Sequence, residues 1–338
     1  MARSSTAEGR LARLGFAEPD RAARLLEDKA LAGFADPLDD VFHDGLPDAL
    51  SRAADPDTAL LGLVRVLEAL KVAGKRADGD TYAGELLAAM RRPGSARDRL
   101  VAVLGGSSAL GDHLAVHPGH WRCVAEAAPP TAAGLRARLV AAVSREQRGE
   151  HTAYDALRIA YRRELLAVAA LDLTSPDPVS YLPIAAEQLA WLAEASLDAG
   201  LAIAREELGS GSEDCRLAVI GMGKTGGGEL NYVSDVDVVF VAEPAPGVDE
   251  ERALVVGGAL AAGLMKACSA ATAEGTLWPL RRVAPLGDDP RGPGSARQGG
   301  VRGPPGRGDA RGGVPAAAHP RAPDPGVPAA AHPPHADG

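Results

Sequence analysis

Aromatic side chains make up only 4% of the 338 residues, and of the 36 basic residues just five are lysine. With so few rings, small aliphatic side chains must fill any core, and a hydrophobic content of 46% supplies them. The abundance of Ala, Gly, Pro and Arg follows what G+C-rich codons give and carries no information about activity. Cysteine is almost absent: Cys123, Cys215 and Cys268 are too few and too widely spaced for a disulfide framework or a cysteine zinc motif, which points to a reducing compartment. A surplus of positive charge is missing too, and the net charge of -9 argues against general nucleic-acid binding. No apolar run approaches membrane-spanning length, and residues 1–15 carry Arg3, Glu8, Arg10 and Arg13 rather than a secretory apolar segment. The expectation is a cytoplasmic protein without a membrane partner. No internal repeat recurs at a fixed period.

What is present divides the chain into three stretches. Residues 1–214 read as helices in series. Asp55-Pro56 caps and starts a helix in which Leu60, Val64, Leu67 and Lys71 recur at helical spacing until Gly74 stops it. Leu157, Tyr161, Leu165 and Val168 keep the same period, as do Leu189, Leu192, Ser196, Ala199 and Ile203, whose small members allow close helix contact. Pro176-Asp-Pro178 separates those two helices. From Cys215 the pattern changes to strand, turn and strand, followed by a helix over 250–268.

The chemistry concentrates in that second stretch. Leu217-Ala-Val-Ile-Gly-Met-Gly-Lys-Thr-Gly-Gly-Gly-Glu-Leu-Asn-Tyr-Val-Ser-Asp-Val-Asp-Val-Val-Phe-Val241 is an apolar run, a glycine-rich turn, and a second apolar run opened by two acids. Side chains alternate along a strand, so Asp235 and Asp237 share a face and suit one metal site. Hard carboxylate oxygens favour Mg²⁺, completed by substrate phosphate oxygens. Gly223, Gly226, Gly227 and Gly228 leave backbone N–H groups open to a phosphate, and Lys224 adds a point charge. The run from Val236 to Val241 is nearly continuous and suits a strand covered on both faces. Gly221-Met-Gly-Lys-Thr-Gly226 also satisfies the dinucleotide fingerprint, but a Rossmann unit needs a helix and then an acid about 20 residues on, and here the acids come too early. A P-loop would need a glycine where Ala218 stands. A strand, a glycine turn with a short helix, and a strand beginning Asp-x-Asp is instead the pattern of polymerase-β-like nucleotidyltransferases.

The stretch from Gly221 to Asp237 resembles the signature of the glutamine synthetase adenylyltransferases, two-headed enzymes that attach AMP to a tyrosine of glutamine synthetase and remove it. Leu104-Gly-Gly-Ser-Ser-Ala-Leu-Gly-Asp-His-Leu-Ala-Val-His-Pro-Gly-His-Trp121 and Leu157-Arg-Ile-Ala-Tyr-Arg-Arg-Glu-Leu-Leu166 are similar to the helical segment before the family's first catalytic domain. The resemblance runs from about Gly33 to Trp278. It implies a mostly α fold with a partial α/β part: a helical domain over 1–214, then an incomplete nucleotidyltransferase domain over 215–278 of the adenylyl-removing kind, which releases ADP with phosphate. It also implies that Asp235 and Asp237 hold two Mg²⁺ ions, that Gly223, Lys224, Gly226 and Gly227 hold the phosphates of ATP or ADP, and that Ser234 orients a metal-bound oxygen. Glutamine synthetase would be the protein substrate, and a nitrogen-signalling protein a regulatory partner. Thr225 stands where the family motif usually has an apolar residue.

After Trp278 the family continues with a Val-Asp strand and Leu-Arg-Pro, the aspartate being the third metal carboxylate; here Pro279-Leu-Arg-Arg-Val283 follows. Residues 279–338 hold 13 of the 26 prolines and no aromatic, Glu, Lys or Ile, so disorder is expected. A basic tail for anionic partners is one reading, and the product of a shifted reading frame is the preferred one. The chain alone is then expected to be inactive, and the alternative is a non-catalytic module that docks on glutamine synthetase or a nitrogen-signalling protein. His113, His117, His120 and Cys123 suggest zinc by spacing, but Pro118 breaks the helix between them, and they are read as structural. Arg158, Arg162 and Arg163 are read as a solvated helix face.

Overall fold

The computed structural model describes residues 6–32, 45–76, 81–278 and 280–282, all within one compact unit, Met1–Leu286. Its first helices are Ala7–Arg13 (α1), Pro19–Leu26 (α2), Leu46–Leu50 (α3), Pro56–Arg76 (α4), Thr81–Arg91 (α5), Ser95–Gly106 (α6), Ser108–Val116 (α7) and Trp121–Ala125 (α8). The helix expected after Asp55 is α4. Thr58 donates its N–H and its hydroxyl to the Asp55 carboxylate at 2.9 and 2.8 Å, and these bonds hold that carboxyl below its ordinary pKa. The helix passes Gly74 and ends at Arg76, because one glycine costs about 1 kcal/mol, less than burial of Leu60, Leu63, Val64, Leu67 and Leu70 provides.

Ala132–Val143 (α9), Ala153–Leu173 (α10) and Pro178–Leu208 (α11) carry the chain onward. Thr152 caps α10, Asp177 caps α11, and the proline pair leaves the expected gap between them. A three-stranded sheet follows in the order β1-β2-β3. Cys215–Gly221 (β1) runs antiparallel to Val236–Pro244 (β2), with the single turn Gly223–Gly226 (α12) between them, and β2 runs parallel to Leu280–Arg282 (β3). The parallel pair is joined by Glu250–Ser269 (α13), as parallel strands require a crossover.

The cores do not respect the change of pattern at Cys215. Leu189, Ala193 and Leu197 of α11 pack with Val236 and Val238 of β2, Leu264 and Cys268 of α13, and Trp278. Helix α13 lies close on α11, where a side chain at Gly263 would meet the Ala204 methyl. By length and composition alone α13 would suffice to cross a membrane, contrary to the expectation that no apolar run approaches that length. Its stripe of Ala253, Val256, Leu260, Leu264 and Ala267 is buried against α11 and the sheet, and that accounts for its apolar character.

Two expectations need correction. Strand β2 is covered on one face, with Val236 and Val238 fully buried, while Val241 and Ile220 of β1 are about half exposed; helices pack on only one side of the sheet among the described residues. Leu280–Arg282, inside the stretch expected to be disordered, forms β3 by pairing with β2. Residue 279 and residues 283–338 lie outside the described residues, so the expectation for the rest of that tail stands apart from the structure.

Candidate functional site

The glycine turn is one closed helical turn. Gly226 N–H donates to Met222 O, Gly227 N–H to Gly223 O, Gly228 N–H to Thr225 O and Glu229 N–H to Lys224 O. Three of the N–H groups expected to face a phosphate are therefore used inside the turn. The groups that a first helical turn leaves without an internal acceptor belong to Gly223, Lys224 and Thr225. Gly223 sits at φ +54°, where glycine alone is unstrained. A Cβ at Gly226 would run into the Gly221 carbonyl, 3.0 Å from its carbon and closer still to its oxygen. The glycines thus let the turn fold back onto the end of β1. Thr225 is 2% exposed, and its hydroxyl has no partner among the described residues.

Asp235 and Asp237 flank the fully buried Val236, so the alternation expected of the strand holds at its start. Asp235 is exposed and Asp237 half-buried. A side chain at Gly223 would lie 3.7 Å from Asp237 Oδ2, so this carboxylate stands directly against the turn. Met222 N–H donates to Asp237 O at 2.8 Å and ties turn to strand. Lys224 is exposed, and Ser234 Oγ donates to the Asp235 carbonyl at 3.2 Å. A cleft of about 450 Å³ lined by Tyr232, Val233, Ser234, Asp235, Leu277 and Trp278 opens beside these acids. In the parallel register the position beside Asp237 on β3 is Arg281.

Helix α10 holds both segments that line the cleft. Tyr232 donates its hydroxyl to Asp172 Oδ2 at 2.8 Å, and the Tyr161 and Trp278 rings lie 5.0 Å apart. Arg158, expected on a solvated face, is 0% exposed. It donates to the carbonyls of Tyr154 at 2.8 Å, Gly275 at 2.9 Å, Ala267 at 3.1 Å and Ala270. Arg162 donates to the carbonyls of Glu274 and, at 3.2 Å, Thr276. Only Arg163 of the three is an exposed side chain. Burial pulls the Arg158 pKa below the ordinary arginine value and pushes the nearby Cys268 thiol up to about 12.

The histidines converge in spite of Pro118. That proline opens a single 3₁₀ turn, Pro118–His120, which folds His120 back against α7. Ring centroids of His113, His117 and His120 lie 4.7 to 5.6 Å apart. His113 Nε2 is 3.0 Å from His120 Nδ1, and His117 Nε2 is 2.9 Å from Glu274 Oε2. Burial holds His113 down at about 3 and His120 at about 4, so both rings are neutral at pH 7.

Comparison with known proteins settles the family. The profile of the glutamate-ammonia ligase adenylyltransferases matches residues 97–288, more than half the chain, and continues past Trp278, the expected end of the resemblance. The chain belongs to this adenylyltransferase family. It is 45% identical over 281 residues to the bifunctional glutamine synthetase adenylyltransferase/adenylyl-removing enzyme of Streptomyces avermitilis, covering 82% of this chain and 26% of that protein. Identity to the Streptomyces coelicolor enzyme of the same description is 44% over 284 residues, again 82% and 26%. For the Mycobacterium avium enzyme it is 42% over 237 residues, 69% and 22%. The chain thus spans about a quarter of the length of these adenylyltransferases. The glycine turn, Asp235, Asp237, the histidine cluster, Arg158 and Arg162 all fall inside the family match.

Proposed function

We propose that this chain carries the helical segment and part of the adenylyl-removing site of a glutamine synthetase adenylyltransferase, with residues 1–214 as platform and 215–278 as the incomplete nucleotidyltransferase part. The observation that carries the reading is the start of β2, where Asp235 and Asp237 bracket a buried valine and Asp237 stands against Gly223. Asp235 lines an open cleft and Asp237 follows two residues on, and such a pair fits a hard cation such as Mg²⁺, which takes one or two protein carboxylates and fills its remaining positions with water and phosphate. When bound, Mg²⁺ would neutralise and polarise phosphoryl oxygens. Asp235 and Asp237 would be its ligands. The Lys224 side chain and the open N–H groups of Gly223 and Lys224 would receive the phosphates of ADP or ATP, Gly226 and Gly227 would close the turn beneath them through their own N–H bonds, and Ser234 would brace the strand entry through the Asp235 carbonyl. The protein substrate would be adenylylated glutamine synthetase in the cytoplasm, inorganic phosphate the acceptor, and a nitrogen-signalling protein the regulator.

With Arg281 in the register position beside Asp237, a third carboxylate from β3 is missing and the chain alone is expected to be inactive. That same residue favours a second reading, a non-catalytic module that docks on glutamine synthetase. Turnover and binding measured on one preparation separate them. The first reading expects Mg²⁺-dependent ADP binding that Asp237→Asn abolishes, and the second expects glutamine synthetase binding without nucleotide binding. Phosphate-dependent ADP release by the chain, lost in Asp235→Asn, would refute the expected inactivity. The tail over 279–338 is read as the product of a shifted frame. Translating the other frames after the Trp278 codon should recover Val-Asp and Leu-Arg-Pro, and their absence from both frames refutes that reading.

A further inference from the structure

The histidine cluster lies outside the glycine turn and its acids, and nothing in the proposed reaction uses it. It draws His113 and His117 from one end of α7 and Glu274 from the loop after α13, and their ligand atoms lie within 4.8 Å of one another. That loop is a built support. Thr272 and Gly275 bridge across it, Glu274 N–H donates to Thr272 Oγ1 at 3.1 Å, Arg162 holds the Glu274 carbonyl, and Arg158 holds the Gly275 carbonyl. His113 is 5% exposed, and its contact with His120 fixes the ring, as a metal-binding imidazole usually donates its other N–H to a neighbour. A cavity of about 330 Å³, lined by His113, Glu274, Asp112 and Arg162 among others, opens beside the cluster and leaves room for a further ligand.

We propose that His113, His117 and Glu274 bind one divalent transition metal of the zinc class, with His120 orienting His113. Two imidazoles and a carboxylate are a recurrent zinc set, with ligand atoms about 2.0–2.2 Å from the metal and so about 3.3–3.5 Å from each other. The 2.9 Å contact between His117 and Glu274 is already close to that spacing. The metal would staple the helical segment to the loop that leads into Leu277 and Trp278 of the cleft, two residues that bear on the proposed nucleotide site but are not part of this one.

The test is titration of the full chain, free of any histidine tag, with Co²⁺ followed by ligand-field absorption and with Zn²⁺ followed by calorimetry. One equivalent bound at about micromolar Kd or tighter is expected. Glu274→Gln and His117→Gln should each weaken binding by about 100-fold, and His120→Gln by about tenfold. The double variant Asp235→Asn, Asp237→Asn should keep this one tight equivalent, whatever weaker carboxylate binding it loses, which keeps this proposal distinct from the nucleotide site. Far-UV circular dichroism checks that each variant folds. No binding below millimolar metal, or binding unchanged in both Glu274→Gln and His117→Gln, overturns the proposal.

Discussion

Replacing Arg158 by methionine is the sharpest test of how the chain holds its cleft. The substitution keeps an unbranched stem and most of the volume of a side chain that is completely buried, and removes the guanidinium with its donors. The Tyr154 carbonyl belongs to the same helix and keeps its backbone partner. The Gly275 carbonyl keeps the Thr272 N–H at 3.1 Å, whereas those of Ala267 and Ala270 lie at the end of α13 and just beyond it, where the helix supplies no further donor. Two charge-assisted bonds at about 1.5 kcal/mol each amount to roughly 3 kcal/mol. Relief of the buried guanidinium's desolvation offsets part of this, leaving a net loss of about 2 kcal/mol. For a chain of this size that lowers Tm by roughly 4–8 °C. Thermal and urea unfolding by circular dichroism should show it, and amide exchange over residues 267–276 should quicken. Arg163→Met, on the exposed side of the same helix, should change stability by less than about 0.5 kcal/mol. If Arg158→Met unfolds within about 1 kcal/mol of the parent, the buried guanidinium is not the anchor described above.

Thr225→Val should stabilise the chain by about 1 kcal/mol, because it removes a buried hydroxyl without a partner; equilibrium unfolding that shows a loss instead would imply a bound water or ligand on Oγ1. Gly226→Ala should cost about 3 kcal/mol and loosen nucleotide binding, since the new methyl meets the Gly221 backbone carbonyl rather than a flexible side chain; calorimetric ADP titration beside urea unfolding reads both effects. Acid should weaken the metal-free chain. His113 titrates at about 3 folded against 6.5 unfolded, so the unfolded state takes up more protons between those values and stability falls as pH drops through that window. From pH 7 to 5 the full shift amounts to about 2 kcal/mol, halved to about 1 kcal/mol for a ring whose polar neighbours respond to its charge. Urea midpoints at the two pH values, compared with His113→Gln, measure that difference.

Much of this architecture was legible because it rests on local pattern. The stripe from Leu60 to Leu70 specifies α4, the paired prolines divide α10 from α11, and the apolar runs around the glycine turn give β1 and β2. The alternation that places a buried residue between Asp235 and Asp237 was legible for the same reason. Arg158 was not. Beside the periodic Leu157 and Tyr161 it looks like any solvated arginine, and only the approach of the end of α13, more than 100 residues later, supplies its carbonyls. Glu274 was missed for the same cause, being 157 residues from His117 with no motif linking them. Pro118 was read as a break that parts the histidines, whereas a proline at the first position of a new turn redirects the chain and brings them together.

The arrangement gives α10 a role that neither the helical stretch nor the strand-turn-strand stretch has alone. Its C-terminal turn carries Asp172, which holds Tyr232 of the segment leading to Asp235. Its middle carries Tyr161 against Trp278, with Arg162 and Arg158 gripping the loop before that tryptophan. The two walls of the cleft come from segments some 40 residues apart in sequence, and among the described residues both are hydrogen-bonded to this one helix. A rigid rod that fixes two loops sets the width of the gap between them more tightly than contacts between the loops themselves would, because each loop then has a reference that does not move with the other. The buried arginine and the tyrosine–aspartate bond therefore bear on the geometry around Asp235 from outside it, and the helical segment that precedes the acids in sequence is part of the device that positions them.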